Sequence, residues 1–259
     1  MNFILDEENY VHWLLENGTL GKSEKMSIRI LVKYFKNLGY TETESVDAVI
    51  DFMSLNLSYF EESDWIVLVK RLAKLVYEQN QELVRVKSIE ITKNEMKTIL
   101  SVENQAYQRI LYTLLVYKKV QNKIHKQSNQ WFNGSLGEVF KMARVGGSKS
   151  TTTAQGRIIF ELKEAGLIGL AKSVKSLNLK LEYLDLEYKE EDVLLTIDNF
   201  DDVIYDYYKH INQRVSRCKG CGKAILIKKS ERRPRQYCTP CKKLANNQQS
   251  LNYYYKQKG

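Results

Sequence analysis

The four cysteines of the chain constrain its fold more than any other feature. They form two pairs, Cys218 with Cys221 and Cys238 with Cys241, and two residues separate the members of each pair. Two such pairs with 16 residues between them have the spacing that holds one tetrahedral Zn²⁺ ion through four thiolates. The sequence therefore predicts one structural zinc ion with these four ligands.

Other uses of the four cysteines are less well supported by the sequence. Two disulfides would need an oxidising compartment, and the first eight residues carry three acids and no basic residue, unlike a signal peptide. A thioredoxin-like redox pair would need a strand–helix–strand context, which the sequence does not show. Iron–sulfur chemistry and unligated buried thiols stay open as alternatives. No apolar run approaches the length of a membrane span, so we expect a soluble protein of the bacterial cytoplasm.

Length and hydrophobic pattern predict a mostly α-helical chain with more than one domain. The 259 residues suffice for about two domains, and 43% of them are apolar, so a substantial core is possible. Both prolines, Pro234 and Pro240, lie near the cysteines, which favours helices elsewhere. We expect four segments: a helical N-terminal domain (1–90), a central domain (91–186), a connecting strand and helix (187–215), and a zinc module (216–259). In the connecting segment the strand is expected at 193–197, and the helix should carry Val203 and continue to the first cysteine.

Helix-capping patterns support the helical prediction in the first two segments. Thr41 with Glu44, Thr92 with Glu95, and Ser135 with Glu138 each have the spacing of a capping box, in which two side chains bond the free N–H groups of a first turn. A long amphipathic helix is predicted from about Val102 to His125. A helix capped by Ser150 or Thr151 should follow the short helix that Ser135 opens and should end at Gly166.

The central segment resembles a winged helix–turn–helix domain. Its predicted order is long helix, short helix, turn, third helix and β-hairpin, with strands at Leu167–Ala171 and Leu177–Tyr183. The exit from the third helix, Glu164-Ala165-Gly166-Leu167-Ile168, is typical of that family. The resemblance implies that the third helix enters the DNA major groove with its N-terminal end, although many winged helices bind protein instead.

The same resemblance implies a set of nucleic-acid contacts. The N-terminal end of the third helix offers side chains that donate to phosphates or base edges: Lys149, Ser150, Thr151, Thr152, Thr153, Gln155 and Arg157. Lys172 and Lys175 lie where a wing would meet the DNA backbone. Ile158, Ile159 and Leu162 should face the core of the domain.

The positive charge of the chain is concentrated near the cysteines. Residues 214–259 contain 13 Lys and Arg and one acid, a net charge of +12, whereas the other 213 residues carry 27 bases and 30 acids, a net charge of −3. A zinc ion with four thiolates contributes about −2, so the segment stays near +10. Such a concentration marks a surface for a polyanion, although a solubilising tail would look the same.

The cysteine-rich segment resembles a treble-clef zinc finger. The first pair, in Arg217-Cys218-Lys219-Gly220-Cys221-Gly222, is similar to a zinc knuckle, and Pro240 suits the first turn of a helix that carries the second pair. Its expected nucleic-acid contacts are basic: Lys228, Lys229, Arg232, Arg233, Arg235, Lys242 and Lys243. The HNH endonuclease version of this finger needs histidines, and none of the three in the chain lies within the segment.

Two hypotheses for function follow. Taken whole, the chain resembles uncharacterised proteins of phages and mobile elements in low-GC Gram-positive bacteria, a resemblance that implies no activity. The first hypothesis is a non-enzymatic, zinc-containing protein that binds double-stranded DNA in transcription regulation or replication. The alternative is a phage-encoded inhibitor of a host protein or nucleoprotein complex, such as RNA polymerase or a CRISPR defence complex. We find no nucleophile paired with a histidine, no pair of catalytic acids and no nucleotide-binding glycine loop in the sequence. The sequence therefore offers no support for an enzyme.

Overall fold

The computed structural model describes residues 4–146, 151–171, 178–200, 202–227, 231 and 235–247. Within these ranges the chain is mostly helical with small antiparallel sheets, which confirms the predicted fold class. It divides into two compact units, residues 2–87 and residues 88–259. The finer subdivision of the second unit at residues 186 and 215 stays a prediction.

The N-terminal unit consists of four helices around one hydrophobic core. The helices are α1 (Glu7–Asn17), α2 (Glu24–Asn37), α3 (Glu42–Asn56) and α4 (Glu62–Glu78). Apolar residues recur every three or four positions along these helices, so each buries one face against the others. The predicted capping box opens α3, because Thr41 accepts the N–H of Glu44 and Glu44 accepts the N–H of Thr41.

A buried ion pair joins two helices inside this unit. Lys33 Nζ on α2 lies 2.9 Å from Glu7 Oε2 on α1, and both side chains are about 6% exposed. The same Glu7 oxygen accepts the N–H of Val84, 2.8 Å away. Because the carboxylate and the ammonium satisfy each other, neither charge is left unpaired in the interior.

The C-terminal unit is arranged around a central helix, α6. It contains β1 (Ile89–Thr92), α5 (Lys93–Leu100), α6 (Gln105–His125), β2 (Trp131–Phe132), α7 (Leu136–Met142), α8 (Thr152–Glu164), β3 (Ile168–Leu170), β4 (Leu179–Leu181), β5 (Val193–Ile197), α9 (Ile204–His210), β6 (Val215–Arg217) and β7 (Ala224–Leu226). A further helix, α10, covers residues 239–247. Fourteen of the 21 residues of α6 are buried, so neighbours cover it on most sides.

Helices α6, α7 and α8 and a three-stranded sheet follow the order that the winged-helix resemblance implies. The sheet order is β2-β4-β3, with β4 antiparallel to both neighbours, so β3 and β4 form the expected hairpin. Thr151 caps α8, and Gly166 follows that helix with φ +73°, the left-handed conformation that favours glycine. The two-residue strand β2 was missed, because it is too short to show an alternating pattern.

Two strands that are far apart in sequence close the C-terminal unit. β1 pairs antiparallel with β5, from Ile89 opposite Ile197 to Thr92 opposite Val193. The strand at 193–197 was predicted, but its partner was not. The helix predicted to continue from residue 203 to the first cysteine is wrong beyond His210, because Asn212 takes φ +56° and the chain then enters β6.

One buried carboxylate connects four segments of this unit. Glu95, on α5, has no solvent exposure and accepts the N–H groups of Thr92 (2.8 Å) and Asp185 (3.0 Å). Lys119 Nζ on α6 lies 2.8 Å from the same carboxylate and also donates to the carbonyl oxygen of Glu90. Burial raises the pKa of Glu95, and the charge of Lys119 opposes that rise. The net direction is a raised pKa, and Lys119 together with the two backbone donors limits that rise and so favours the ionised carboxylate.

Replacing Lys119 by Met should destabilise the C-terminal unit by about 3 kcal/mol at pH 8, because it leaves Glu95 buried without a cation. In this variant the folded-state pKa of Glu95 should rise further above its value in the unfolded chain. The folded state then binds the proton more tightly, so the loss of stability should shrink as the pH falls from 8 to 5. Urea unfolding at several pH values measures this loss.

The control variant is Lys123→Met, one helical turn later on α6. Lys123 donates to the carbonyl oxygen of Ser88 at the surface and contacts no carboxylate in the described chain. Its loss of stability should be smaller and independent of pH. A loss in Lys119→Met that does not change with pH would contradict the role assigned to the pair.

Candidate metal centre and nucleic-acid interface

The first cysteine pair lies at the turn of a short hairpin. β6 and β7 pair antiparallel with Arg217 opposite Ala224, so Cys218 and Cys221 lie in the connection between the strands. The N–H of Cys218 donates to the carbonyl oxygen of Lys223 across that turn, at 2.9 Å. Gly222 has φ +68°, a conformation that side chains disfavour, which explains a glycine directly after the second ligand.

The second cysteine pair lies at the start of α10. Cys238 directly precedes the helix and Cys241 is in its first turn, where the N–H of Lys242 donates to the carbonyl oxygen of Cys238. The N–H of Cys238 also donates to the sulfur of Cys218, at 3.3 Å. The backbone therefore holds the two pairs against each other.

The sulfur positions fit one tetrahedral metal ion. All four Sγ atoms lie within 4.8 Å of one another, and those of Cys221 and Cys238 are 3.7 Å apart. Four sulfurs at about 2.3 Å from a tetrahedral ion are about 3.8 Å from each other. The four predicted ligands thus come together, with Cys218 buried and Cys221 at the surface. This site can hold a metal ion.

The acidities of the thiols show why such a site favours a cation. Burial acts to raise the pKa of Cys218, but hydrogen bonds that its sulfur accepts from the N–H groups of Cys238 and Gly220 outweigh burial and lower the pKa to about 6. Side-chain hydrogen bonds with Cys238 and Cys221 raise the pKa of Cys241 to about 12. One thiolate therefore forms readily, and four thiolates need a positive ion among them.

Gly220, between Cys218 and Cys221, lies in a tight space beside Cys241. A Cβ atom at this position would lie 3.2 Å from both Cβ and Sγ of Cys241. That distance is closer than ordinary van der Waals contact, and the atoms it would push away include a ligand sulfur. A methyl group here requires Cys241 to move by a few tenths of an ångström, away from its position in the four-sulfur cluster.

A buried carboxylate fastens the hairpin to the rest of the C-terminal unit. Asp202 Oδ2 accepts the N–H of Ala224 on β7, at 2.8 Å, and forms an ion pair with Arg144 at the end of α7. Arg144 itself has φ +54°, so the backbone turns sharply just after α7. Neither residue was singled out from the sequence, since an acid in a polar loop and an arginine after a helix carry no distinctive pattern.

Arg217, on β6 of the hairpin, contacts α9. The guanidinium of Arg217 lies 4.1 Å from the ring centre of Tyr205, and its NH2 atom is 3.7 Å from Asp206 Oδ2. Tyr208, on the same helix, accepts a hydrogen bond from Arg109 on α6. Helix α9 therefore links the hairpin that carries Cys218 and Cys221 to the central helix of the unit.

Some of the residues on α8 that were predicted to contact nucleic acid are exposed, and others cap the helix or are half-buried. Thr152, Thr153 and Arg157 are exposed, whereas Ile158, Ile159 and Leu162 are buried as predicted. Thr151 caps the helix by accepting the N–H of Ala154, and Gln155 is half-buried. Nε of Arg157 lies 3.6 Å from Glu161, an exposed pair that leaves its other donors available.

The predicted contacts near the cysteines also differ in their surroundings. Lys242 and Lys243 are exposed on α10. Arg235 forms an ion pair with Glu231 and donates to the carbonyl oxygen of Leu226, so it braces the end of β7. Eight predicted contacts lie outside the described residues: Lys149, Ser150, Lys172, Lys175, Lys228, Lys229, Arg232 and Arg233.

Comparison with known proteins leaves the function to be argued from this chain alone. No protein-family model, no curated protein and no solved structure matches the chain. Among the described residues, no helix has both the length and the apolar character that crossing a bilayer requires.

The full-length protein should bind one tetrahedral metal ion, and Gly220→Ala should weaken that binding by about tenfold because the added methyl group displaces Cys241. Titration with Co²⁺ measures both, since four thiolates produce intense charge-transfer bands that saturate at one equivalent. Gly146→Ala is the control, because no atom in the described part of the chain lies within 4 Å of a Cβ added there. Equal affinity in the two variants would contradict the packing argument.

Proposed function

We propose that this chain is a non-enzymatic, zinc-containing protein that binds double-stranded DNA, of the phage or mobile-element type, acting in transcription regulation or replication. In this proposal, α8 of the winged-helix-like region contacts the major groove, and the basic zinc module adds contacts to phosphates. The observation that carries the proposal is the outer face of the N-terminal half of α8, which is exposed, polar and free of acids.

The outer face of α8 suits the approach of a DNA backbone. Thr152, Thr153, Gly156 and Arg157 are all exposed, and no acid lies in the first turn. Hydroxyl and guanidinium groups donate to phosphates and base edges. No atom of the described residues lies within 4 Å of a Cβ added at Gly156, so among them this glycine leaves open space on the surface rather than serving the core.

The second half of α8 supports an approach by its N-terminal end. Phe160, Glu161 and Glu164 are exposed there, and carboxylates repel phosphates. Glu161 also accepts a hydrogen bond from Tyr107 and pairs with Arg157, which ties the C-terminal half of α8 to α6. An orientation with the N-terminus toward DNA keeps both acids away from the backbone, as in other helix–turn–helix proteins.

Zinc is the ion that best suits the four-cysteine site. Soft thiolates select zinc, copper(I) and iron–sulfur clusters, and four thiolates around one tetrahedral position are typical of structural zinc. A site with four protein ligands has no open position for a substrate. The proposed ion therefore supplies folding energy to the hairpin and α10, and with them presents the basic residues of the segment.

Replacing Gly156 by Glu should lower DNA affinity by at least tenfold, because it places a carboxylate against phosphates, where like charges cost several kcal/mol. The fold should be slightly more stable, by roughly 0.5 kcal/mol, since Glu is a better helix former than Gly. Fluorescence anisotropy with a labelled duplex and thermal unfolding give the two readouts.

Leu55→Glu provides the matched change of charge at a site that is 83% exposed in the N-terminal unit. It should leave DNA binding within about twofold of the parent protein. An equal loss in both variants would show that only net charge matters and would remove α8 from the interface.

Replacing Lys242 and Lys243 together by Gln should flatten the salt dependence of DNA binding. Each lost phosphate contact reduces the slope of log K against log salt by about 0.9, so the double variant should lose nearly two units of slope. Lys22→Gln with Lys87→Gln removes the same charge from exposed positions in the N-terminal unit and should not change the slope.

The alternative function, inhibition of a host complex, predicts a different result. A protein of that kind would shift no duplex at low salt and would co-purify with a host protein complex from a nuclease-treated lysate. Those two results together would replace the DNA-binding proposal. Retention of a host complex that nuclease treatment removes would support DNA binding instead.

A further inference from the structure

A cavity in the N-terminal unit lies between α2 and α4. Its volume is about 660 Å³, which is in the range of pockets that hold small organic molecules. Both helices contribute basic and apolar side chains to its wall. The lining residues that matter for its chemistry are Lys25, Met26, Arg29, Arg71, Leu72, Lys74 and Leu75.

The charge of the cavity is opposite to that of the unit around it. Residues 2–87 contain 14 Asp and Glu against 10 Lys and Arg, a net charge of −4. Four of those ten bases line the cavity, together with the single acid Glu78. Lys74 forms an exposed pair with Glu78 at 3.6 Å, but no hydrogen bond or ion pair engages the side chains of Lys25, Arg29 or Arg71 within the described chain. The cavity therefore has unpaired positive charge.

Arg29 provides the sharpest sign that the cavity takes an anion. Its Nε atom is shielded from solvent and has no hydrogen-bond acceptor within the described residues. A buried donor without a partner costs free energy, and arginine matches the two oxygens of a carboxylate or phosphate through parallel N–H groups. The terminal nitrogens of Arg29 also have no acceptor in the described chain and, unlike Nε, are not shielded from solvent, so an oxyanion in the cavity can accept from them.

The rest of the wall is suited to an apolar group beside that oxyanion. Leu72 is nearly buried, Leu75 is half-buried and Met26 is 39% exposed, so an apolar surface continues from the core into the cavity. Ser23 also lines the cavity at the start of α2, and its side chain makes no capping hydrogen bond. Its hydroxyl is thus a further donor near the basic residues.

We propose that this cavity binds a small amphipathic oxyanion, with the anionic group on Arg29 and Arg71 and the apolar body against Met26, Leu72 and Leu75. The anionic group is a carboxylate or a phosphate monoester, since both present paired oxygens to arginine. The site lies in the N-terminal unit and uses no residue of the zinc module or of α8. A test of ligand binding at this cavity can therefore succeed or fail independently of the DNA-binding proposal.

Calorimetric titration of the full-length protein tests the proposal with two anions, octanoate and adenosine 5′-monophosphate. Their neutral counterparts, 1-octanol and adenosine, are titrated in parallel, and inorganic phosphate serves as an anionic group without an apolar body. We expect saturable binding of one anion at one equivalent, with much weaker binding of its neutral counterpart and of phosphate. The anion that binds identifies the class of ligand.

The variants Arg29→Met and Arg71→Met test whether the anion binds in this cavity. Each should raise the dissociation constant by about tenfold or more, the loss expected when a charged hydrogen bond is removed. Arg71 is exposed, so its variant tests the site even if Arg29→Met disturbs the fold. Lys87→Met, an exposed control outside the cavity, should stay within about twofold.

Three outcomes would overturn the proposal. The first is that neither anion binds, and the second is that the neutral counterparts bind as tightly as the anions. The third is that both arginine variants bind like the parent protein.

Discussion

The buried carboxylate of Glu95 is the constraint on which the C-terminal unit depends. An ionised carboxylate inside a protein persists only when a cation and hydrogen-bond donors surround it, and here Lys119, Thr92 and Asp185 supply them. Those groups come from α6, from the cap of α5 and from the segment after β4. Any arrangement that separates these segments leaves a charge unpaired in the interior, so one interaction restricts the packing of the strands and helices around α6.

The same principle positions the metal centre. Asp202 accepts the N–H of Ala224 on β7 and pairs with the guanidinium of Arg144 at the end of α7, so a buried carboxylate helps to hold the hairpin, together with the buried Ala224 and Ile225. The four sulfurs lie together beside this attachment. Neighbouring thiols raise the pKa of Cys241, so ionisation of all four thiols needs a cation among them. In the proposed function, this attachment holds the basic α10 within the unit that presents α8.

Structural features that depend on residues close together in the chain could be predicted from the sequence. The cysteine spacing indicated a four-sulfur cluster, and the capping boxes at Thr41 and Thr92 correctly placed the starts of two helices. The inward face of α8 followed from helical periodicity. The prediction was wrong where a short element interrupted a longer pattern, as at Asn212, whose positive φ ends α9 and turns the chain into β6.

By itself, the sequence determined the four clustered cysteines, the helical character and the uneven distribution of charge, because each depends on local spacing or on composition. Only the tertiary structure decided which residues support them. Glu95 and Lys119 are 24 positions apart and Asp202 and Arg144 are 58 apart, and the unpaired Arg29 meets α4 across a cavity. No periodicity marks such pairs, because the burial that makes a charge need its partner exists only once the helices have packed.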